Sequence, residues 1–257
     1  MIAPSHPHHH GANSNELAGL EQVQVTVAFV DLAGFSVLTE ICGDQEAAEL
    51  ALALAEQARR ALHPGVRVIK TIGDAVMLAA DTTDAMLATI NTLSDAVADH
   101  DGFLTLRAGI HHGTAIVRDG DLFGHTVNVA ARITALAGAG QAVITTPVLP
   151  AATRIGWPTT ALGSRGLRNI SAPVELHALA LTPARHPSDP ICGARIDPAT
   201  APAHRQTGTD RWWFCSTDCA ERYDHTNEQT ASLASPRGST PALESPNSRG
   251  ATTRSLR

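Results

Sequence analysis

Aromatic residues are scarce in this chain, 4% of its 257 positions, and charged residues supply only 17%. Packing must therefore rest on aliphatic side chains, and 43% hydrophobic content is enough for one substantial core plus a small second module. Lys and Arg together number 19, without a dense basic run, and the formal net charge is −6, which argues against an extended nucleic-acid surface. No apolar run reaches the roughly 18 residues of a membrane span. The N-terminus also lacks a charged segment followed by an apolar one, so neither anchor nor signal peptide is expected and the location is read as cytoplasmic. Cysteines are few and unevenly placed: Cys42 stands alone, while Cys192, Cys215 and Cys219 crowd the last third. Without export signals, such a cluster suggests metal or redox chemistry before a disulfide frame.

What is present is organised around Val30 to Phe35, V-D-L-A-G-F. Gln24 to Val30 reads as a strand, Asp31 sits at its end, and Gly34 allows a close backbone approach before a helix opens at Phe35 and Ser36. Helix N-termini attract phosphate, so this is a metal-and-phosphate corner. Taken alone, a strand-Asp-helix junction reads first as a helix N-cap at Asp31. Beyond it, Val37, Leu38, Ile41, Ala48, Leu52, Ala55, Ala58 and Leu62 recur at helical spacing and are expected to share a buried face, with a stop at Pro64 and Gly65. Val66 to Ile69 and Ala75 to Ala80 read as a hairpin across Gly73 and Asp74, followed by a helix from Asp84 towards Ala98 capped by Thr82 or Thr83. Strands follow at Leu104 to His111, Ala115 to Arg118, Gln141 to Thr145 and Val174 to Leu181, with a short helix over Thr126 to Ala135. This mixture predicts an α+β fold, a sheet with helices packed on it.

Residues 1–19 read as a mobile tail, 20–182 as the main domain, 183–226 as a cysteine module behind a proline-marked linker, and 227–257 as a disordered tail. Two further stretches carry polar groups in unusual places. In Val68 to Met77, V-I-K-T-I-G-D-A-V-M, Lys70 precedes Asp74 by four positions in an otherwise apolar hairpin. In Gly120 to Arg132, G-D-L-F-G-H-T-V-N-V-A-A-R, Asn128 and Arg132 share one helical face. Singly, these read as a turn pair, an edge charge that deters aggregation, and a surface hydrogen bond.

Together the three stretches resemble the class III nucleotidyl cyclases, the family of adenylate and guanylate cyclase catalytic domains, from about Val23 to Leu181. The resemblance implies a ferredoxin-like mixed sheet and a reaction on a nucleoside triphosphate. It implies that Asp31 and Asp74 hold two Mg²⁺ or Mn²⁺ ions, hard cations that take oxygen ligands and clamp both ends of an in-line displacement. It assigns Asn128 to the ribose, Arg132 to the transition-state charge on the α-phosphate, and the corner at Gly34 and Phe35 to the triphosphate. Adenine offers a donor at N6 and an acceptor at N1, so Asp121 and Lys70 suit it. Guanine reverses both, and guanylate members typically carry Glu and Cys there. ATP is the implied substrate, and cyclic AMP and pyrophosphate the products. Family members share active sites across a dimer interface, and this chain carries both residue sets, so a homodimer is implied. Where the family often has Lys-Gly, this chain has Arg168 and Asn169, and Arg168 reads as either a triphosphate contact or a solvated charge. His111, His112 and His125 border the active segment and read as structural or solvated before a base for the 3′ hydroxyl. A non-catalytic nucleotide-binding scaffold and a guanylate cyclase are the rival readings.

In the last third, D-P-I-C-G and R-W-W-F-C-S-T-D-C place Cys192, Cys215 and Cys219 where three thiolates can surround one ion, Zn²⁺ first and Cu⁺ second. No fourth ligand is obvious in the sequence; His204 and a water are the options. The piece resembles the YHS domain, a treble-clef-like module, with Trp212, Trp213, Phe214 and Tyr223 as its core. A structural zinc, a regulatory metal or redox sensor, and a metal-free reduced module all remain open readings.

Overall fold

The computed structural model describes residues 21–234. The chain opens with β1 (Glu21–Leu32), whose alternate side chains enter two separate cores. Gly34, at φ 87°, turns the chain into α1 (Phe35–Cys42), which is followed by α2 (Asp44–Arg60). The expected hairpin is β2 (Val66–Ile72) and β3 (Ala75–Ala80), and α3 (Thr83–Ala98) is capped by the Thr82 hydroxyl, which accepts from the Ala85 N–H at 3.2 Å. Next come β4 (Leu106–Arg118), β5 (Asp121–Phe123), α4 (His125–Thr134) and β6 (Gln141–Thr145), then α5 (Leu149–Arg154), β7 (Thr159–Arg165) and β8 (Val174–Ala180). The chain ends in a hairpin of β9 (Ala203–Thr207) and β10 (Asp210–Phe214) and in α6 (Thr217–Ala234).

The main sheet has the order β2-β3-β1-β4-β6-β8-β7, with β5 paired to β4. Only β4 and β6 run parallel, so the sheet is mixed and the fold α+β, as the mixture of elements predicted. Helices α1, α2 and α3 cover one face over Val30, Leu78 and Ile110, while α4 covers the other over Val27, Met77 and Leu122. Among the described residues no helix is long and apolar enough to cross a membrane.

Several expectations need correction. The buried face of α2 is Ala47, Leu50, Leu54, Ala55 and Ala58, whereas Leu52 is 72% exposed and Val37 48%. Leu50, Leu52 and Leu54 alternate at every second position, so a 3.6-residue period fits more than one face of this helix. The two segments expected at Leu104–His111 and Ala115–Arg118 are one uninterrupted β4. Strand β7 went unrecognised because it is a polar, mostly exposed edge with a register shift at Gly163. The last helix runs to Ala234, past residue 227 where a tail was expected to begin. The expected tails at 1–19 and 235–257 lie outside the described residues.

The C-terminal module is fastened to the main domain rather than hung from a linker. The N–H of Gly102 donates to the Arg195 carbonyl at 2.9 Å, and the N–H of Arg195 to that of Phe103 at 3.0 Å. The buried Arg195 guanidinium also donates to the Val97 carbonyl at the end of α3. Cys192, Ile196, Phe214, Cys219 and Ala220 belong to the same buried cluster as Leu54, Phe103 and Leu104. Of the expected module aromatics, Phe214 is buried and lies 5.2 Å from the Tyr223 ring centre, whereas Trp212 is 37% exposed.

Gly109 on β4 sets how closely α4 can approach. A Cβ there would stand 2.4 Å from the Thr134 backbone nitrogen and 2.7 Å from the Ala130 carbonyl oxygen, atoms of the helix itself. Gly109→Ala should therefore push α4 outward and destabilise the fold by about 1–3 kcal/mol, read as a lower urea midpoint with unchanged slope. An unaltered midpoint would show that α4 is not seated on this glycine.

Candidate functional site

Asp31 ends β1 directly opposite Arg107 of β4 in the antiparallel register. Its Oδ1 accepts from the Leu32 N–H at 2.8 Å, and its Oδ2 accepts from Arg107 Nε at 2.7 Å. Asp31 does not cap α1: among the described residues no side chain caps that helix, so its first-turn amides have no helical or side-chain acceptor there. Asp74, on the β2–β3 turn, meets Asp31 across a cavity of about 160 Å³ lined also by Gly34, Phe35, Ser36 and Arg107. Burial, then a hydrogen bond and like charge from Asp31, push the Asp74 carboxyl up to about 7. The corner thus joins two carboxylates to the open N-terminal turn of a helix, an oxygen-rich anionic donor set that suits Mg²⁺ or Mn²⁺ with phosphate beside it. Asp31 Oδ1 keeps a lone pair beyond the hydrogen bond it accepts from the Leu32 N–H, whereas Oδ2 already accepts from both Nε and Nη2 of Arg107.

A second group lies elsewhere on the subunit. Lys70 follows a register shift in β2, and Asp121 starts β5 after a turn in which Asp119 and Gly120 both adopt positive φ, 51° and 77°. Lys70 Nζ donates to Asp121 Oδ2 at 2.6 Å and sits 5.8 Å from the Phe123 ring centre. That hydrogen bond holds the Asp121 carboxyl below its ordinary value. Lys70 is the only lysine of the chain; arginine serves everywhere else. Helix α4 buries Thr126, Val129, Ala130 and Ile133, which leaves Asn128 and Arg132 exposed on its outer side. Among the described residues neither side chain has a hydrogen-bond or ion-pair partner. Neither they nor Lys70 and Asp121 line the cavity at Asp31. The sequence-derived site residues therefore do not gather at one place: Asp31, Asp74, Gly34 and Phe35 line one cavity, Lys70 and Asp121 form a bonded pair apart from it, and Asn128 and Arg132 stand exposed on α4. Arg168 is exposed in the β7–β8 connection and does not line the cavity.

His111 and His112 are tied into the sheet, His111 Nδ1 2.7 Å from Thr145 Oγ1 and His112 Nδ1 3.0 Å from Thr26 Oγ1. Burial, followed by the neighbouring His125 and His112, lowers His111 to about 4, so its ring is neutral at pH 7. These contacts match the structural reading of the two rings.

Sequence reasoning missed two residues. Arg107 was passed over as part of a strand, although a cation in the strand paired with β1 was visible in the sequence. Cys42 was read as standing alone, yet its sulfur joins those of Cys192, Cys215 and Cys219, all within 4.8 Å of one another. His204, on β9 opposite Trp213, is not a member of this group.

Residues 20–169 match the family described as the adenylate and guanylate cyclase catalytic domain. The chain is 42% identical over 159 residues to a pH-sensitive adenylate cyclase of Mycobacterium tuberculosis (strain CDC 1551 / Oshkosh), covering 60% of this chain and 40% of that protein. It is 37% identical over 115 residues to an adenylate cyclase of Streptomyces coelicolor, covering 44% of this chain and 30% of that one. The chain thus spans less than half the length of these relatives. Among solved structures, an adenylate cyclase of Trypanosoma brucei in its monomeric state superposes with a TM-score of 0.57 at 23% identity, over 68% of this chain and 93% of that one, a likeness of fold.

Proposed function

The chain belongs to the family of adenylate and guanylate cyclase catalytic domains, and from that premise we propose that it is an adenylate cyclase acting as a homodimer in the cytoplasm. The reaction joins the ribose 3′ oxygen to the α-phosphorus of ATP and breaks the bond to pyrophosphate, giving 3′,5′-cyclic AMP. The observation that carries this reading is the convergence of Asp31 and Asp74 on one cavity at the open N-terminus of α1. When bound there, two Mg²⁺ or Mn²⁺ ions supply charge neutralisation for the triphosphate and acidify the attacking hydroxyl. Arg107 holds the Asp31 carboxylate in register, and the amides after Gly34 receive phosphate oxygens. Asp121 accepts from adenine N6 while Lys70 donates to N1, which favours ATP over GTP. Asn128 orients the ribose, and Arg132, without a partner among the described residues, neutralises charge that develops on the α-phosphate of a site completed by the second subunit.

For residues 183–226 we propose a YHS-like module that regulates or stabilises the cyclase; a turn, a hairpin and a helix bearing three cysteines support it. The direct test is the yield of cyclic nucleotide from ATP and from GTP, each with Mg²⁺ and Mn²⁺. Cyclic AMP from ATP alone is expected; cyclic GMP as the main product, or no product with either, would overturn the reading in favour of a guanylate cyclase or a non-catalytic scaffold.

The Asp74 carboxyl has a further consequence. Its folded-state value lies above the ordinary 3.8, at about 7, so the fold favours the protonated form, and ionisation across that window costs the metal-free protein stability as pH rises. A divalent cation binds the ionised form and removes the repulsion from Asp31. Mg²⁺ or Mn²⁺ should therefore raise the melting temperature more at pH 8 than at pH 5, and Asp74→Asn should abolish the difference. Equal shifts at both pH values would count against Asp74 as a ligand.

A further inference from the structure

Four segments far apart in the sequence bring one sulfur each to a common point. Cys42 is the last residue of α1, Cys192 sits in the turn before Gly193, Cys215 follows β10 directly, and Cys219 lies in the first turn of α6. Cys192 Sγ lies 3.4 Å from Cys215 Sγ, Cys215 Sγ 3.6 Å from Cys219 Sγ, and all four sulfurs lie within 4.8 Å of one another. These separations exceed the roughly 2.05 Å of a disulfide. They bracket the edge of a tetrahedron with metal–sulfur bonds of about 2.3 Å, on the order of 3.8 Å. The surroundings hold the sulfurs in place. Asp189, 1% exposed, accepts from the Ile191 and Cys192 N–H groups with Oδ1 and from the Cys215 N–H with Oδ2 at 2.8 Å, so one buried carboxylate fixes two of the sulfur-bearing segments. The Ser216 hydroxyl accepts from the Cys219 N–H at 3.1 Å. A cavity of about 430 Å³, bordered by Cys42, Cys215, Ser216 and Glu46, gives an ion access from solvent.

Buried cysteines also pack as small apolar groups, but packing alone does not require four sulfurs, contributed by four segments, to face one another within the reach of one ion. We infer that Cys42, Cys192, Cys215 and Cys219 form a four-thiolate site for Zn²⁺ or a similar soft divalent cation, which staples α1 of the cyclase domain to the C-terminal module. Cys42 is the ligand that closes the tetrahedron and makes the site a joint between two parts of the chain. Helix α1 is eight residues, about 12 Å, long. Its other end is the Gly34–Phe35 corner beside Asp31, so an ion at Cys42 fixes the element that carries the proposed phosphate site. This second consequence, unlike the metal site itself, rests on the cyclase reading.

The experiment uses the full chain, reduced and stripped with chelator, then reloaded with Zn²⁺ or Co²⁺. Wild type should bind one ion per chain beyond any held at Asp31 and Asp74, a background removed by Asp31→Ala. Its Co²⁺ form should show a thiolate charge-transfer band of four-sulfur intensity and the visible bands of tetrahedral cobalt. Cys42→Ser should lower zinc affinity at least about tenfold and weaken the charge-transfer band towards three-sulfur intensity. Wild type that takes up no Zn²⁺ or Co²⁺ when reduced would overturn the site. An unchanged affinity and spectrum in Cys42→Ser would overturn the staple, and the wild-type spectrum decides the ligand number even if that variant folds poorly. These readouts do not depend on nucleotide chemistry. Cyclase rate, compared between stripped and zinc-loaded wild type at fixed Mg²⁺, then reports the coupling through α1: a several-fold rise on loading is expected, and equal rates would overturn it.

Discussion

Mixing a chain that carries Asp31→Ala with one that carries Arg132→Ala should restore activity that each lacks alone. Either substitution alone should lower the rate about 10²- to 10³-fold, since one removes a proposed metal ligand and the other a transition-state cation. The grounds for sharing are spatial: the cavity between Asp31 and Asp74 is lined by neither Asn128 nor Arg132, and both of these stand exposed on α4 without a side-chain partner among the described residues. A two-fold dimer in which each subunit gives one group to each site brings them together. In an equimolar mixture half the dimers are hybrids, and each hybrid has one intact site and one doubly damaged site, so recovery should reach about a quarter of the wild-type rate. That is more than tenfold above either parent. The measurement is cyclic AMP formation by co-expressed, differently tagged chains, with the hybrid isolated by tandem affinity purification, where one intact site of two should give about half the wild-type rate. Isolated hybrids with no more activity than the parents would mean that the two groups act within one subunit or not at all.

The regularities that sequence makes legible are local ones. β1, the β2–β3 hairpin, α3 and β6 were visible because period-2 or 3.6 patterns and turn residues coincide there, and the Thr82 cap followed from the same logic. Where apolar residues fall at every second position of a helix, as at Leu50, Leu52 and Leu54, periodicity does not select the buried face, and packing against α3 and β3 decided it. The proposed base-reading role of Lys70 and Asp121 follows from the family resemblance together with hydrogen-bond polarity, but their 2.6 Å contact depends on a register shift in β2 and a two-residue turn before β5. Long-range encounters were out of reach. Cys42 and Cys192 are 150 positions apart, and nothing in the spacing of either signals that α1 ends against the C-terminal module. The tie between Asp31 and Arg107 was nearer to hand, because pairing β1 with the Leu104–His111 strand sets some residue opposite Asp31 and only Arg107 there is cationic.

Substrate choice should reverse when the base-reading pair is reversed. Lys70→Glu with Asp121→Cys offers an acceptor where adenine N1 needs a donor and a weak donor where adenine N6 needs an acceptor, the arrangement that suits guanine N1–H and O6. Each mismatched contact costs about 1–3 kcal/mol, so the double variant should lower the ratio of kcat/KM for ATP to that for GTP by about 10²- to 10⁴-fold. Single variants should behave differently, because the two side chains are bonded to each other. Lys70→Glu alone sets two carboxylates face to face and leaves Asp121 without the ammonium it is bonded to, so it should lose ATP turnover and gain little with GTP. Asp121→Cys alone leaves the lysine without its carboxylate. The ratio should thus fall by more in the double variant than the two single effects predict together, a coupling between contacting residues that distant sites would not show. Competition between ATP and GTP at equal concentration, followed by chromatographic separation of the cyclic products, measures the ratio directly. A double variant that keeps wild-type preference while remaining active would remove Lys70 and Asp121 from base recognition and leave their ion pair a strand-edge contact.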